Sequence, residues 1–92
     1  MKSAVVLINV NRGQADKVSQ ALAEMDGISE VFSVAGRFDL VALIRTDSDE
    51  KLAELVSSGI ASNAEITCTE TLIAFQVFSK HDLEGMFSIG LN

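Results

Sequence analysis

The sequence predicts an α+β domain: one four-stranded antiparallel sheet with two helices on one of its faces, in the chain order βαββαβ. Three observations carry this prediction. Four short stretches are dominated by β-branched and other apolar residues, and two further stretches repeat apolar residues at three- and four-residue spacing. The second and third β-rich runs also lie only a few residues apart. A parallel return would need a crossover of about a dozen residues or more, so they form an antiparallel pair.

Each element can be justified in turn. "SAVVLINV", residues 3–10, is short, rich in β-branched residues and closed by "NRG", which suits a strand running into a loop. Ala15, Val18, Ala21, Leu22 and Met25 then recur on one face while Asp16, Lys17, Gln20 and Glu24 fall elsewhere. This is an amphipathic helix stopped near Asp26 and Gly27. "ISEVFSVAG" alternates apolar Ile28 and Val31 with Ser29, Glu30 and Ser33, a second strand closed by Gly36. "FDLVALIRT" is the third strand, paired with the second as a hairpin. After it, "TDSDEKLAELVSSGIAS" offers Asp or Ser as an N-cap, acids in the first turn, and one face made of Leu52, Leu55, Val56 and Ile60. The fourth strand is expected over residues 64–78, where Ile66, Thr67, Thr69, Thr71, Ile73, Phe75 and Val77 favour extended backbone. This order is the split βαβ or ferredoxin-like plait, a fold that by itself assigns no function.

Two helices cover only one face of such a sheet, and a wet antiparallel face should carry polar residues. Here Val5 and Leu7 alternate with Ala4, Val6 and Ile8, and residues 40–44 are apolar at every position. Both faces therefore expect cover. The simplest cover for the second is another copy, packed sheet to sheet about a two-fold axis.

Composition narrows the function. Seven Lys and Arg against thirteen Asp and Glu give a net charge of −6, with the cations scattered. Binding nucleic acid needs a positive face to neutralise phosphate, so direct DNA or RNA binding is not expected, nor is attachment to an anionic membrane. The apolar run near the N-terminus is too short for a signal peptide or a membrane span. Cys68 is the only cysteine, which excludes an intrachain disulfide and the paired cysteines of a structural zinc site; a reducing cytoplasm is the expected compartment. In mid-strand, Cys68 is expected to be a small buried hydrophobe. Neither a metal nor a cofactor is expected, since His81 has only Asp82 and Glu84 near it.

The hairpin carries the most informative motif. Asp39 places a carboxylate at the mouth of an otherwise apolar strand, in "GRFDL". Turn chemistry alone accounts for Gly36 and Asp39. Yet "SVAGRFDLVALIRTDS" also resembles the effector-binding (RAM) domain of the Lrp/AsnC transcription regulators, whose hairpin carries Gly-x-Tyr/Phe-Asp before an apolar strand. Gly36, Phe38 and Asp39 match that motif, and Thr67 and Thr69 match a Thr-x-Thr after the second helix. The resemblance covers about residues 3–79 and implies a ligand-binding domain over residues 1–79 that pairs through its sheets, with dimers assembling into rings such as an octamer of four dimers. It further implies a small amino-acid-like effector held beside the hairpin where dimers meet. The ligand-binding residues expected on this basis are Gly36, Arg37, Phe38, Asp39, Thr67, Thr69 and Thr71. Gly36 permits close backbone approach and Phe38 offers an apolar wall. Asp39 accepts from an ammonium group or caps turn amides. For the threonines, which alternate along one face of the strand, cross-strand packing is the competing explanation.

The family's regulators carry a helix-turn-helix domain ahead of this module, whereas the first strand here begins at about Ser3. The expectation is a stand-alone sensing module that acts on transcription through partners, including full-length Lrp/AsnC regulators, and not an enzyme. Small dimeric αβ-barrel enzymes that work without cofactors share the plait and are the alternative. They enclose polar cavities that the uniformly apolar first and third strands do not favour, and no nucleophile stands beside a histidine base. The segment "SKHDLEGMFSIGLN" ends the chain. Its Leu83, Met86, Phe87, Ile89 and Leu91 are too apolar for a free tail, so residues 80–92 are expected to dock on the same or a neighbouring subunit, with a helical turn over residues 82–86.

Overall fold

A computed structural model describes residues 1–78 and Lys80. The chain runs β1 (Lys2–Val10), α1 (Ala15–Ala23), β2 (Ile28–Ser33), β3 (Leu40–Thr46), α2 (Asp49–Glu54) continued by a π-helical stretch (Leu55–Ile60), and β4 (Ile66–Ile73). The sheet order is β2-β3-β1-β4, antiparallel throughout. The central strands β1 and β3 are joined from Lys2↔Thr46 to Ile8↔Leu40. This is the predicted plait.

Register decides which side chains meet the helices. Ala4, Val6 and Ile8 of β1 face Ile44, Ala42 and Leu40 of β3, and all six are buried together with Val18 and Leu22 of α1 and Leu52 and Ile60 of the second helical segment. One core therefore lies between the helices and a single sheet face. The intervening residues Val5, Leu7, Val41 and Leu43 point to the other face, where none of the described helices lies, and are only half-buried.

The helix ends follow local chemistry. Ser48 caps α2 by accepting the Lys51 amide at 3.2 Å, and Asp49 and Glu50 supply negative charge to the first turn. From Leu55 the helix widens, and the Ala61 amide donates to the Val56 carbonyl five residues back at 3.3 Å. Ser57, Ser58 and Gly59, weaker helix formers than Leu52, Ala53, Glu54 and Leu55 before them, occupy this stretch. The widened turn still delivers Ile60 to the core with no exposure. The apolar spacing of Leu52, Leu55, Val56 and Ile60 carries no signal of the change to π geometry.

Two expectations are corrected here. The fourth strand stops at Ile73 and does not run to Phe78, because β1, its partner among the described residues, is nearly at its end: Ala4 pairs with Ile73, the Ala74 amide donates to the Ser3 carbonyl at 3.0 Å as the last rung, and β1 begins at Lys2. β-propensity beyond that point has no strand to pair with. Cys68 is exposed, not buried, because β4 is an edge strand and Cys68 sits opposite Asn9 on the side away from the helices. The helical turn expected over residues 82–86 lies outside the described residues.

Candidate ligand-binding site

The β2–β3 connection, residues 34–39, closes over the end of β1. Asp39 is tied there three ways. Its amide donates to the Ile8 carbonyl at 3.0 Å, its carbonyl accepts the Val34 amide at 3.0 Å, and its side-chain Oδ2 accepts the Val10 amide at 2.9 Å. The third bond has a structural cause. The β1–β3 pairing ends at Ile8↔Leu40, and the β1–β4 register shifts between Asn9 and Val10, so the Val10 amide projects past the last rung of the ladder. The Asp39 carboxylate stands in for the missing carbonyl and keeps a half-buried donor paired. It therefore fastens the hairpin to the neighbouring strand, and the amide it caps belongs to β1, not to the turn itself. Among the described residues, Oδ1 has no hydrogen-bond partner.

The rest of the loop is open. Gly36 has φ +143°, a conformation side chains rarely adopt, and nothing lies within 4 Å of where a Cβ would project. Arg37 is exposed, and its guanidinium stands 6.0 Å from the centre of the half-buried Phe38 ring.

The threonines divide. Thr69 lies opposite Ile8, which pairs on its other side with Leu40, so Thr69 and the mouth of the hairpin share one end of the sheet, about 10 Å or two strand spacings apart. Thr67 lies at that end too, and both are exposed. Thr71 lies further along β4, in a groove against α2 with Leu52 and Val56. The structure thus brings residues 36–39 toward Thr67 and Thr69 and sets Thr71 apart.

Clefts of about 640, 420 and 270 Å³ open on the described surface, and none of the three is lined by any of residues 36–39 or by Thr67 or Thr69. Among the described residues the hairpin stands as a rim beside these clefts and lines none of them. The first cleft is at the opposite end of the sheet, where the turn after α1 meets the π-helical stretch. Met25, Gly27, Leu55 and Gly59 contribute to its lining, and Asp47 and Lys51 also line it, 3.3 Å apart as an ion pair. Sequence reasoning singled out none of these residues as a site, because they meet only through the crossing of the two helix connections.

The helix-free face completes the picture. Val5, Leu7, Val41 and Leu43 form its apolar centre, flanked by Phe32 and Leu72, which are 44% and 48% exposed. Glu30, Arg45 and Glu70 share this face by register and are exposed. The class so defined is a two-layer ferredoxin-like plait, helices on one sheet face and an apolar sheet face uncovered by the described residues, with a carboxylate-anchored hairpin.

The comparisons with known proteins agree. The family model described as the Lrp/AsnC ligand binding domain matches residues 3–83, and the chain belongs to that family. The HTH-type transcriptional regulator FL11 of Pyrococcus furiosus is 31% identical over 74 residues, covering 80% of this chain and 48% of FL11, so the chain spans about half the length of that relative. The crystal structure of TTHA0845 from Thermus thermophilus superposes with a TM-score of 0.81 at 39% identity, covering 87% of this chain and all of the other. Transcriptional regulator NMB0573 of Neisseria meningitidis, solved as a complex with L-Met, shares the fold with a TM-score of 0.75 at 9% identity, over 85% of this chain and 52% of that one. The matched relative FL11 bears the name of a transcription regulator and not of an enzyme. Among the described residues, no helix is long and apolar enough to cross a membrane.

Proposed function

We propose that this chain is a sensing module that binds a small amino-acid-like effector beside the β2–β3 hairpin, where copies meet, and that it acts on transcription through partner proteins without touching DNA itself. The observation that carries this reading is the state of Asp39. One oxygen is committed to Val10 and fixes the carboxylate in place, while the other is free to accept from an ammonium group. Gly36 leaves space for a ligand to approach the backbone, and Phe38 provides an apolar surface at the same rim. Thr67 and Thr69 offer hydroxyls across the end of the sheet. The remaining walls come from other copies, paired first through the apolar sheet faces into dimers and then into larger assemblies such as a ring of four dimers. The L-Met bound to NMB0573 supports the ligand class. The net charge of −6 supports an action on DNA that is indirect, through partners such as full-length Lrp/AsnC regulators.

A thermal-shift screen against the twenty amino acids tests this reading. A ligand of the native state raises stability by RT ln(1 + [L]/Kd), about 2.7 kcal/mol at a hundredfold excess over Kd. At least one amino acid should raise the melting temperature of the native chain, and Asp39→Asn should abolish that rise. A screen without any shift refutes the effector.

A further inference from the structure

We propose that the apolar groove between α2 and β4 is the seat of this chain's own C-terminal segment, residues 82–91. The groove has a volume of about 420 Å³ and is lined by Leu52, Ala53, Val56, Thr71 and Ile73, with Asp49 at its rim. Its cause is the layout of the sheet. α1 packs over β2 and β3 and α2 over β3 and β1, and β4 is the edge strand one place further out, so the β4 residues that face the helices are only partly roofed. Ile73 accordingly remains 55% exposed. Apart from Thr71 and Asp49 the lining is hydrocarbon, which holds water poorly and gains from apolar cover.

Three facts select the occupant. The first is composition: beyond Lys80 the sequence reads "HDLEGMFSIGLN", with Leu83, Met86 and Phe87 at helical spacing and Ile89 and Leu91 after them. The second is origin. The chain leaves the sheet at Ile73, itself a wall of the groove, and the residues after Lys80 extend to about 40 Å at roughly 3.3 Å per residue. That reach is enough to return along a molecule measuring 51 × 28 × 21 Å. The third is tethering. A connection as short as residues 74–82 presents the segment to its own groove at an effective concentration on the order of millimolar, well above that of a second copy at micromolar dilution. The rim does not repel the acidic segment, because Asp49 is already paired with Lys2 at 3.9 Å. In this arrangement Thr71 lies beneath the tail and serves it, while the hairpin end of the sheet serves the effector.

The test uses the full chain, which contains no tryptophan. Phe87→Trp introduces a single indole, and Ala53→Glu places a charge in the groove at an exposed position that costs the core nothing. The indole should emit as a buried group, resist acrylamide quenching unchanged over roughly a hundredfold dilution, and become wet on addition of Ala53→Glu. Independently, in the otherwise native chain, ending at Lys80 should lower the melting temperature by about 5 °C. Ala53→Glu should lower it comparably in the full chain and hardly at all in the shortened one, since both changes remove one contact. The proposal is overturned by an indole that is wet from the start together with additive losses. It is equally overturned by an indole shielded only at high concentration, which assigns the groove to a second copy, or by one that ignores Ala53→Glu.

Discussion

The Asp39 carboxylate accepts the Val10 amide at 2.9 Å across 29 positions of sequence, so the hairpin loop is fastened to the end of β1 by a side chain where the ladder lacks a carbonyl. Removing that acceptor leaves a half-buried amide unpaired, at a cost of about 1–3 kcal/mol. Asp39→Ala should lose stability on that scale in urea denaturation. Asp39→Asn keeps an acceptor oxygen and should recover most of the loss while forfeiting the charge that meets an ammonium group. Equal losses from both would show that the carboxylate charge, not the hydrogen bond, holds the loop.

The two glycines at turns should differ in a predictable order. Gly36 has φ +143° with open space around it, so Gly36→Ala costs backbone strain alone, on the order of 1–3 kcal/mol. Gly27 has φ +96°, and a Cβ there would stand 3.0 Å from Leu55 Cδ2 and 3.2 Å from Thr46 Cγ2. Gly27→Ala adds that crowding to the strain and should be the more destabilising by thermal melting. The reverse order contradicts the packing described for the turn after α1.

Ser48→Ala removes the side chain that accepts the Lys51 amide at 3.2 Å. A lost N-cap costs about 1 kcal/mol, whereas Ser48→Asp preserves an acceptor and should restore it. Circular dichroism melts of the two variants provide the check.

Much of this architecture is legible in the sequence, and the exceptions share a cause. The βαββαβ order, both helix faces and the hairpin follow from periods of two and three to four residues, which are local properties. The end of β4 is not local. Residues 74–78 have the composition of a strand, but β1 begins at Lys2 and offers no rung beyond the bond from the Ala74 amide to Ser3. Cys68 looks like a core residue until the sheet order makes β4 an edge. The Asp39–Val10 bond depends on a register shift that no spacing announces, although the oddity of a carboxylate before an apolar strand did single out Asp39. Thr69 and Thr71 share the helix side of β4, opposite Ile8 and Val6. The register shift that pairs Cys68 with Asn9 and Ile66 with Val10 skips Thr67 and breaks the expected alternation there, and the position of α2 sets Thr71 apart from Thr69.

Leu72 offers a way to separate association from folding. It is 48% exposed on the helix-free face of a single chain, so Leu72→Glu should cost the isolated fold little. In a sheet-to-sheet pair it buries a charge against its mate, and association should weaken by several kcal/mol. The native chain should then show a melting temperature that rises with protein concentration, and the variant should not.

The central claim is that the apolar face formed by Val5, Leu7, Val41 and Leu43 does not stay wet, and that the ligand site is assembled between copies. Sedimentation equilibrium of the native chain at micromolar concentration measures this most directly. The account predicts a mass of twice the chain's 9.8 kDa or a higher even multiple. A single species of one chain's mass, with that face open to solvent, would contradict it.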